Sequence, residues 1–352
     1  MQADGLLKIV IGGSDKKRNR IVVPFTQDPY KNEKINSFHY IAAQGDHGYI
    51  GVFYADGNEM GSLIQRPEVT KTIEQYSDFS SDISTWNSKA LKKAADTVNV
   101  NRNDGFPGRI LIRGGDDLLV VLPAESALKF ARVFLEEASG DGSPFKEGIC
   151  GGLVLSQPSM PFSILFSKAE ELAVNAKKQM WLLKQDARTG SSDTSRSPKQ
   201  KSALDFMVVT SPLLEPLGSQ PERQHYILPD GRNYAFLTAR PYLVDELGKL
   251  VKHIRCLKDM ETPRRTFIDL KNIFYPSEIT EDRVDAQGRF VKLAALADRL
   301  GVLYSKNAET YKGLLMKEFL EHDNWRFVDR NGIKRSAQRT WQADIVELVD
   351  FC

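Results

Sequence analysis

Apolar and polar positions alternate or cluster along this chain in a way that predicts strands first and helices after them. "LLKIVIGG" (6–13) and "RIVVPF" (20–25) read as short strands, and "GYIGVFYAD" (48–56) is apolar enough to be a central strand. A glycine-punctuated turn, "DGNEMGSLIQRP", follows, and residues 67–98 are amphipathic with helical spacing. Next comes "ILIRGGDDLLVVLP" (110–123), one long apolar run interrupted by two glycines and two aspartates, which reads as a hairpin. Apolar residues at three- and four-residue steps make "AESALKFARVFLEEAS" (124–139) a helix, and "EGICGGLVLS" (147–156) returns to strand. Pro161 opens a further helix, "PFSILFSKAEELAVNAKKQM".

Strand, helix, strand–hairpin–strand, helix, strand is the ferredoxin-like βαββαβ order. The predicted class is therefore α+β: an antiparallel ferredoxin-like sheet with helices on one face, followed by a mostly α-helical domain. Three regions follow: an N-terminal extension with strands (1–46), the ferredoxin-like domain with the GGDD hairpin (47–239) and a helical C-terminal domain (240–352). Within the ferredoxin-like domain, residues 184–202 are polar and Ser-rich and read as a flexible loop, and "SALDFMVVTS" reads as the edge strand of the same sheet. Helices are expected at "RPYLVDELGKLVKHIRCL", "RVDAQGRFVKLAALADRLGVL" and "ETYKGLLMKEFLEH".

Composition narrows the chemistry. A chain of 352 residues with 41% hydrophobic content has room for about two domains and a normal core. Its 48 Lys and Arg against 46 Asp and Glu leave a net charge of +2, so any anion site must be local. The three cysteines (150, 256 and 352) form no CxxC pair, which argues against a zinc ribbon or disulfide scaffold and fits a reducing compartment. None of the five histidines has metal-ligand spacing to another, and His322-Asp323 sits in a polar helical stretch. No 18-residue apolar run or signal-like N-terminus is present, so a cytoplasmic protein without membrane contact is expected.

The candidate chemistry is at the hairpin. Gly114 and Gly115 suit its turn, but adjacent Asp116 and Asp117 are unfavourable in a strand unless something neutralises them. An isolated GGDD is equally consistent with a solvated acidic turn. Asp56 changes the balance, because the first strand of a ferredoxin-like sheet lies beside the central hairpin. Three carboxylates there suit two Mg²⁺ (or Mn²⁺) ions ~3.5–4 Å apart, the spacing used in phosphoryl transfer. The "DGNEMG" turn, with Gly57, Asn58, Met60 and Gly61, leads into a helix whose backbone N–H groups are placed to cradle phosphates. Glu59 reads as a solvated first-turn carboxylate, and Arg109 and Arg113 as solvated strand-end charges. "IGGSD" (11–15) partly echoes GGDD and reads as a structural turn.

"FYADGNEMGSLI", "IRGGDDLLVVLP", "GICGGLVLS" with "FSKAEELAVNAKK", and "SALDFMVVTS" with "LTARPYLVDEL" resemble, in order, the second palm and following helical domain of the large polymerase subunit of type III CRISPR systems. The resemblance runs over about residues 47–260 and extends distantly to GGDEF diguanylate cyclases and class III nucleotidyl cyclases. It implies that Asp56, Asp116 and Asp117 are metal-binding and catalytic, that Gly114 and Gly115 belong to the catalytic hairpin, and that Lys177 contacts the triphosphate. Taken by itself, Lys177 is equally a solvated helix-edge charge. The implied reaction converts ATP into a cyclic oligoadenylate second messenger read by a downstream effector.

About 46 residues precede the first palm strand, too few for a second palm of roughly 100 residues, and no cysteine cluster is present. The chain thus resembles the stand-alone minimal CRISPR polymerases of antiphage loci, with its place in a guide-RNA complex open. With one GGDD site per chain, a two-fold homodimer with facing palms is expected to present the acceptor hydroxyl. The alternatives are a diguanylate-type cyclase using GTP, disfavoured by Leu118 where GGDEF enzymes have Glu and Phe, and a non-catalytic nucleotide- or RNA-binding scaffold.

Overall fold

The structure is a computed structural model that describes residues 37–99, 106–188, 202–211, 217, 225–227, 234–236, 238–259, 325–328, 334–339 and 341–351. The strands expected at 6–13 and 20–25, the IGGSD turn, His322-Asp323 and the helices expected around 283–303 and 309–322 lie outside these residues. A short helix, α1 (Phe38–Ala42), precedes β1 (Ile50–Gly57). Then come α2 (Met60–Ile64), α3 (Pro67–Thr70), α4 (Ile73–Asn99), β2 (Arg109–Gly114), β3 (Asp117–Pro123), α5 (Ala124–Ala138) and β4 (Ile149–Ser156). The 67–98 helical stretch is therefore two helices, α3 and α4. After β4 the chain forms α6 (Phe162–Arg188), β5 (Ala203–Val209) and the short β6 (His225–Ile227) and β7 (Tyr234–Phe236). The last elements are β8 (Tyr242–Leu243), α7 (Val244–Asp259), β9 (Trp325–Val328), β10 (Lys334–Arg339) and α8 (Gln342–Leu348).

The main sheet has the order β2-β3-β1-β4-β5-β8. β1 pairs antiparallel with β3 (Tyr54 opposite Leu119) and with β4 (Asp56 opposite Cys150), giving the expected βαββαβ order. Two features extend it. β5 adds to β4 in parallel, and β8 rather than β5 forms the sheet edge. α4 and α5 cover one face, as expected, while α6 and α1 cover the other, so the sheet is sandwiched between helices instead of open on one side.

Strand periodicity sorts the core. Phe53, Ala55, Leu118, Val120 and Leu122 face Phe130 and Phe134 of α5, with the Phe53 ring 6.0 and 5.8 Å from those two rings, respectively. Ile50, Val52, Leu119, Val121 and Val154 face Leu165, Ala169 and Leu172 of α6. The glycine pair of β4 serves one face each. A Cβ on Gly151 would stand 2.7 Å from the Phe53 ring; one on Gly152 would overlap the Ala169 carbonyl oxygen and lie 2.8 Å from Ala173 N. Gly152 thus sets how closely α6 approaches the sheet.

The hairpin differs from its sequence appearance. β3 is buried, but β2 is an exposed edge strand with Leu111 standing out of register as a bulge. Gly114 pairs with Asp117, so the two turn residues are Gly115 and Asp116. Gly115 has φ of 57° and Asp116 a negative φ, the type II′ pattern. Gly114 therefore belongs to the strand, and glycine is required for its backbone only at 115.

After Arg240 the described chain is mixed: α7 and α8 are helical, and β8, β9 and β10 are strands. α7 and α8 share the core of α5 through Leu247, Leu250, Ile254, Ile345 and Leu348. A buried polar cluster closes this junction. The Arg240 guanidinium lies 2.8 Å from Asp344 and donates to the Phe206 carbonyl at 3.0 Å, while Tyr242 and the Ala239 N–H donate to Asp344 at 2.6 and 2.9 Å. Arg339 donates to the carbonyls of Ala239 and Pro241. Such a pairing fixes which segments meet more than it adds net stability.

Candidate active site

The site lies where β1 ends beside the β2–β3 turn. β1–β3 pairing runs to Ala55 opposite Leu118, so the next step faces Asp56 toward Asp117, both on the α6 side of the sheet. Asp116, in the turn, reaches back over Gly57: a Cβ there would be 3.0 Å from Asp116 Oδ2 and 2.6 Å from Met60 Cγ. Gly57 is glycine because its neighbours occupy that space.

Side chains from three directions hold these carboxylates. Tyr54, two residues before Asp56 and hence on the same face, donates its hydroxyl to Asp117 Oδ1 at 3.0 Å. Burial, reinforced by Asp56 and Asp117, holds the Tyr54 phenol far above its usual range, so it remains a donor. Lys177 of α6 ion-pairs with Asp56 and donates to the Gly57 carbonyl at 2.9 Å. From the opposite face, Asn87 of α4 is buried and donates to the Gly115 carbonyl at 2.9 Å. Replacing Asn87 with Ala frees this carbonyl and is expected to cost about 1–3 kcal/mol in urea denaturation.

The electrostatics are those of crowded acids. Asp116 is pushed up to about 6, by burial first and then by Asp56 and Asp117. Asp117 is also raised, by burial first and then by Asp56, against the lowering hydrogen bond from Tyr54. Cys150, opposite Asp56 in β4, is pushed up to about 11 by burial and stays a thiol, so the donor set is all oxygen.

Do these residues fit a divalent cation? The donors are hard carboxylate oxygens plus the Gly57 carbonyl, the set Mg²⁺ prefers. The elevated Asp116 value marks negative charge that a cation would relieve. Among the described residues no three acidic, His or Cys side chains are already gathered as a coordination cluster. Asp56 is turned to Lys177 and Asp117 to Tyr54. The residues fit the ion in chemistry, with Lys177 in the place of a cation.

The other expected residues divide. Asn58 is a buried latch: its N–H donates to the Gly148 carbonyl at 2.9 Å and its side chain to the Glu147 carbonyl at 3.0 Å. That N–H is thus engaged and does not face the loop's open side. A Cβ at Gly61, Gly114 or Gly115 would meet nothing within 4 Å, leaving space beside the turn. Arg113 donates to Ser88 at 2.7 Å, consistent with its exclusion from the site. Glu59 is not simply solvated: it pairs with Lys184 at 3.0 Å. α6 runs on to Arg188, so Lys184 belongs to a helix and not to the flexible loop assigned from composition.

Residues 49–184 match the family described as Cas10/Cmr2, second palm domain. This segment is similar to that palm family. The match extends from the start of β1 through most of α6, so every candidate residue of the site lies within it, and it bears out the type III CRISPR polymerase resemblance. Among solved structures, the crystal structure of the Csm1-Csm4 cassette in complex with cA4 is similar over 80% of this chain and 37% of that one, at 10% identity and a TM-score of 0.42. The chain thus spans little more than a third of that relative's length. No curated protein matches the sequence. No helix among the described residues is long and apolar enough to cross a membrane.

Proposed function

We propose that this Cas10/Cmr2-like palm is a divalent-metal-dependent nucleotidyltransferase that converts ATP into a cyclic (oligo)adenylate and pyrophosphate, in CRISPR-related antiphage signalling. The observation that supports this most is the convergence of Asp56, Asp116 and Asp117 on one end of the sheet, with Lys177 already resting on Asp56. Asp56, Asp116, Asp117 and the Gly57 carbonyl would hold Mg²⁺ or Mn²⁺. Bound there, the ions lower the pKa of the attacking ribose hydroxyl and neutralise charge on the triphosphate and departing pyrophosphate. The new bond joins the ribose oxygen to the α-phosphorus, and the bond to the pyrophosphate oxygen breaks.

The chain's own residues supply position. Tyr54 keeps Asp117 aimed, Asn87 anchors the turn that carries Asp116, and Lys177 is drawn from Asp56 onto the phosphates. Gly114 and Gly115 leave room beside the turn for the nucleotide. One such site holds one donor, so a second copy with its palm facing the first presents the acceptor hydroxyl. That symmetry favours a small ring.

Incubating the protein with each nucleoside triphosphate and Mg²⁺ or Mn²⁺, then identifying products by mass spectrometry, tests the reading. A cyclic adenylate is the expected product. A cyclic guanylate would move the assignment to the diguanylate-type alternative, and no product from any triphosphate would favour the scaffold. Light scattering of the active species should give a dimer; an active monomer would contradict the facing-palm arrangement.

A further inference from the structure

α6 carries a second lysine at the site. Lys177 and Lys184 are seven residues apart, two helical turns, and so lie on one face with a rise of about 10 Å between them. Both meet the β1–α2 loop. Lys177 donates to the Gly57 carbonyl at 2.9 Å, and Lys184 to Glu59 two residues on at 3.0 Å. Lys184 also pairs with Glu147, whose other carboxylate oxygen lies 3.2 Å from Arg66 at the end of the α2 turn. Three cations therefore follow the loop outward from the carboxylates of the turn.

Their present partners are carboxylates: Asp56, Glu59 and Glu147. Glu59 has φ of 53°, a left-handed conformation uncommon for a residue with a side chain and costly to maintain. The Lys184 side chain is only 19% exposed, so its ammonium needs an anionic partner at all times. A phosphate can replace a carboxylate in that role, and the guanidinium of Arg66 suits phosphate geometry. Five carboxylates face three cations around the loop, so a bare polyphosphate is repelled and enters with its metal ions.

We propose that Lys184, assisted by Arg66, binds the terminal phosphate of the nucleoside triphosphate, with Glu59 and Glu147 holding the two cations in place until it arrives. This rests on the reading of Asp56, Asp116 and Asp117 as a triphosphate site. It makes the outer end of α6 the part of the protein that distinguishes a triphosphate from the diphosphate.

Equilibrium binding of the 2′,3′-dideoxy tri-, di- and monophosphates of adenosine and guanosine, which have no attacking hydroxyl, tests it in the presence of Mg²⁺. The wild type should prefer triphosphate to diphosphate. Lys184→Met should weaken triphosphate binding on the order of 10- to 100-fold, the loss of one charge-assisted contact, and leave the monophosphate unchanged. Lys184→Arg should restore most of the preference. Equal weakening of all three nucleotides would show that Lys184 only shapes the loop, and an unchanged triphosphate preference would show that it does not touch the phosphate; either overturns the proposal while the function stands. A wild type that binds none of these nucleotides overturns the triphosphate site and this inference with it.

Discussion

Asp116→Asn combined with Asp117→Asn is expected to lower product formation by about 10³-fold or more while making the fold more resistant to heat. The loss follows from removing two of the three carboxylates that would hold the ions opposite the triphosphate charge. The gain in stability follows from Asp116, whose carboxyl moves from an ordinary 3.8 to about 6 on folding. Between those values the folded chain keeps the proton and the unfolded chain releases it, so stability falls as pH rises from about 4 to 6 and the full penalty applies above 6. After allowance for solvent screening of this part-exposed group, the penalty is about 1–2 kcal/mol at neutral pH. Thermal melts of wild type and Asp116→Asn between pH 4 and 7 should converge at the acid end and separate at the neutral end. Mg²⁺ should raise the wild-type Tm and leave the double variant unmoved. A double variant that still makes product would remove these aspartates from the reaction.

Gly152→Val should destabilise the protein by at least about 3 kcal/mol. The new Cβ would overlap the Ala169 carbonyl and press on Ala173 N, both helix backbone, which cannot rotate away as a side chain could. The only relief is to lift α6 from the sheet, opening the packing of Leu165, Ala169 and Leu172 against Val52 and Val154. Lys177 rides on that helix, so a surviving fold should also lose nucleotide affinity. Urea denaturation gives the first effect, and a wild-type midpoint would show that α6 tolerates the displacement.

The strand–helix order and the meeting of residue 56 with residues 116 and 117 were legible because β1, α5 and β4 have clean periods and because βαββαβ topology places the first strand beside the hairpin. Tyr54 was legible in principle: a strand alternates sides, so two residues before Asp56 returns to its face. Lys184 is on the face of Lys177 by simple helical counting, yet composition hid it, since the polar run after it looks like loop and α6 persists to Arg188 through pairing with Glu59 and Glu147. Asn87 carried no signal, because its role depends on how α4 packs across the far side of the turn. The exposure of β2 was equally hidden, as "ILIRG" is apolar enough to be central. The shared core of α7 and α8 with the palm depends on contacts more than one hundred residues apart along the chain, the Tyr49–Phe351 contact spanning about three hundred.

The Arg240–Asp344 lock has a practical meaning for anyone dissecting the molecule. A fragment trimmed after residue 239 would retain every candidate catalytic side chain and still be a poor reagent. Thr238 and Ala239 would lose the carboxylate they donate to, and the α5 surface would be stripped of Leu247, Ile345 and Leu348. The candidate site and the cover of its supporting core thus come from separate stretches of this polypeptide, and the palm should be purified with its far segment attached.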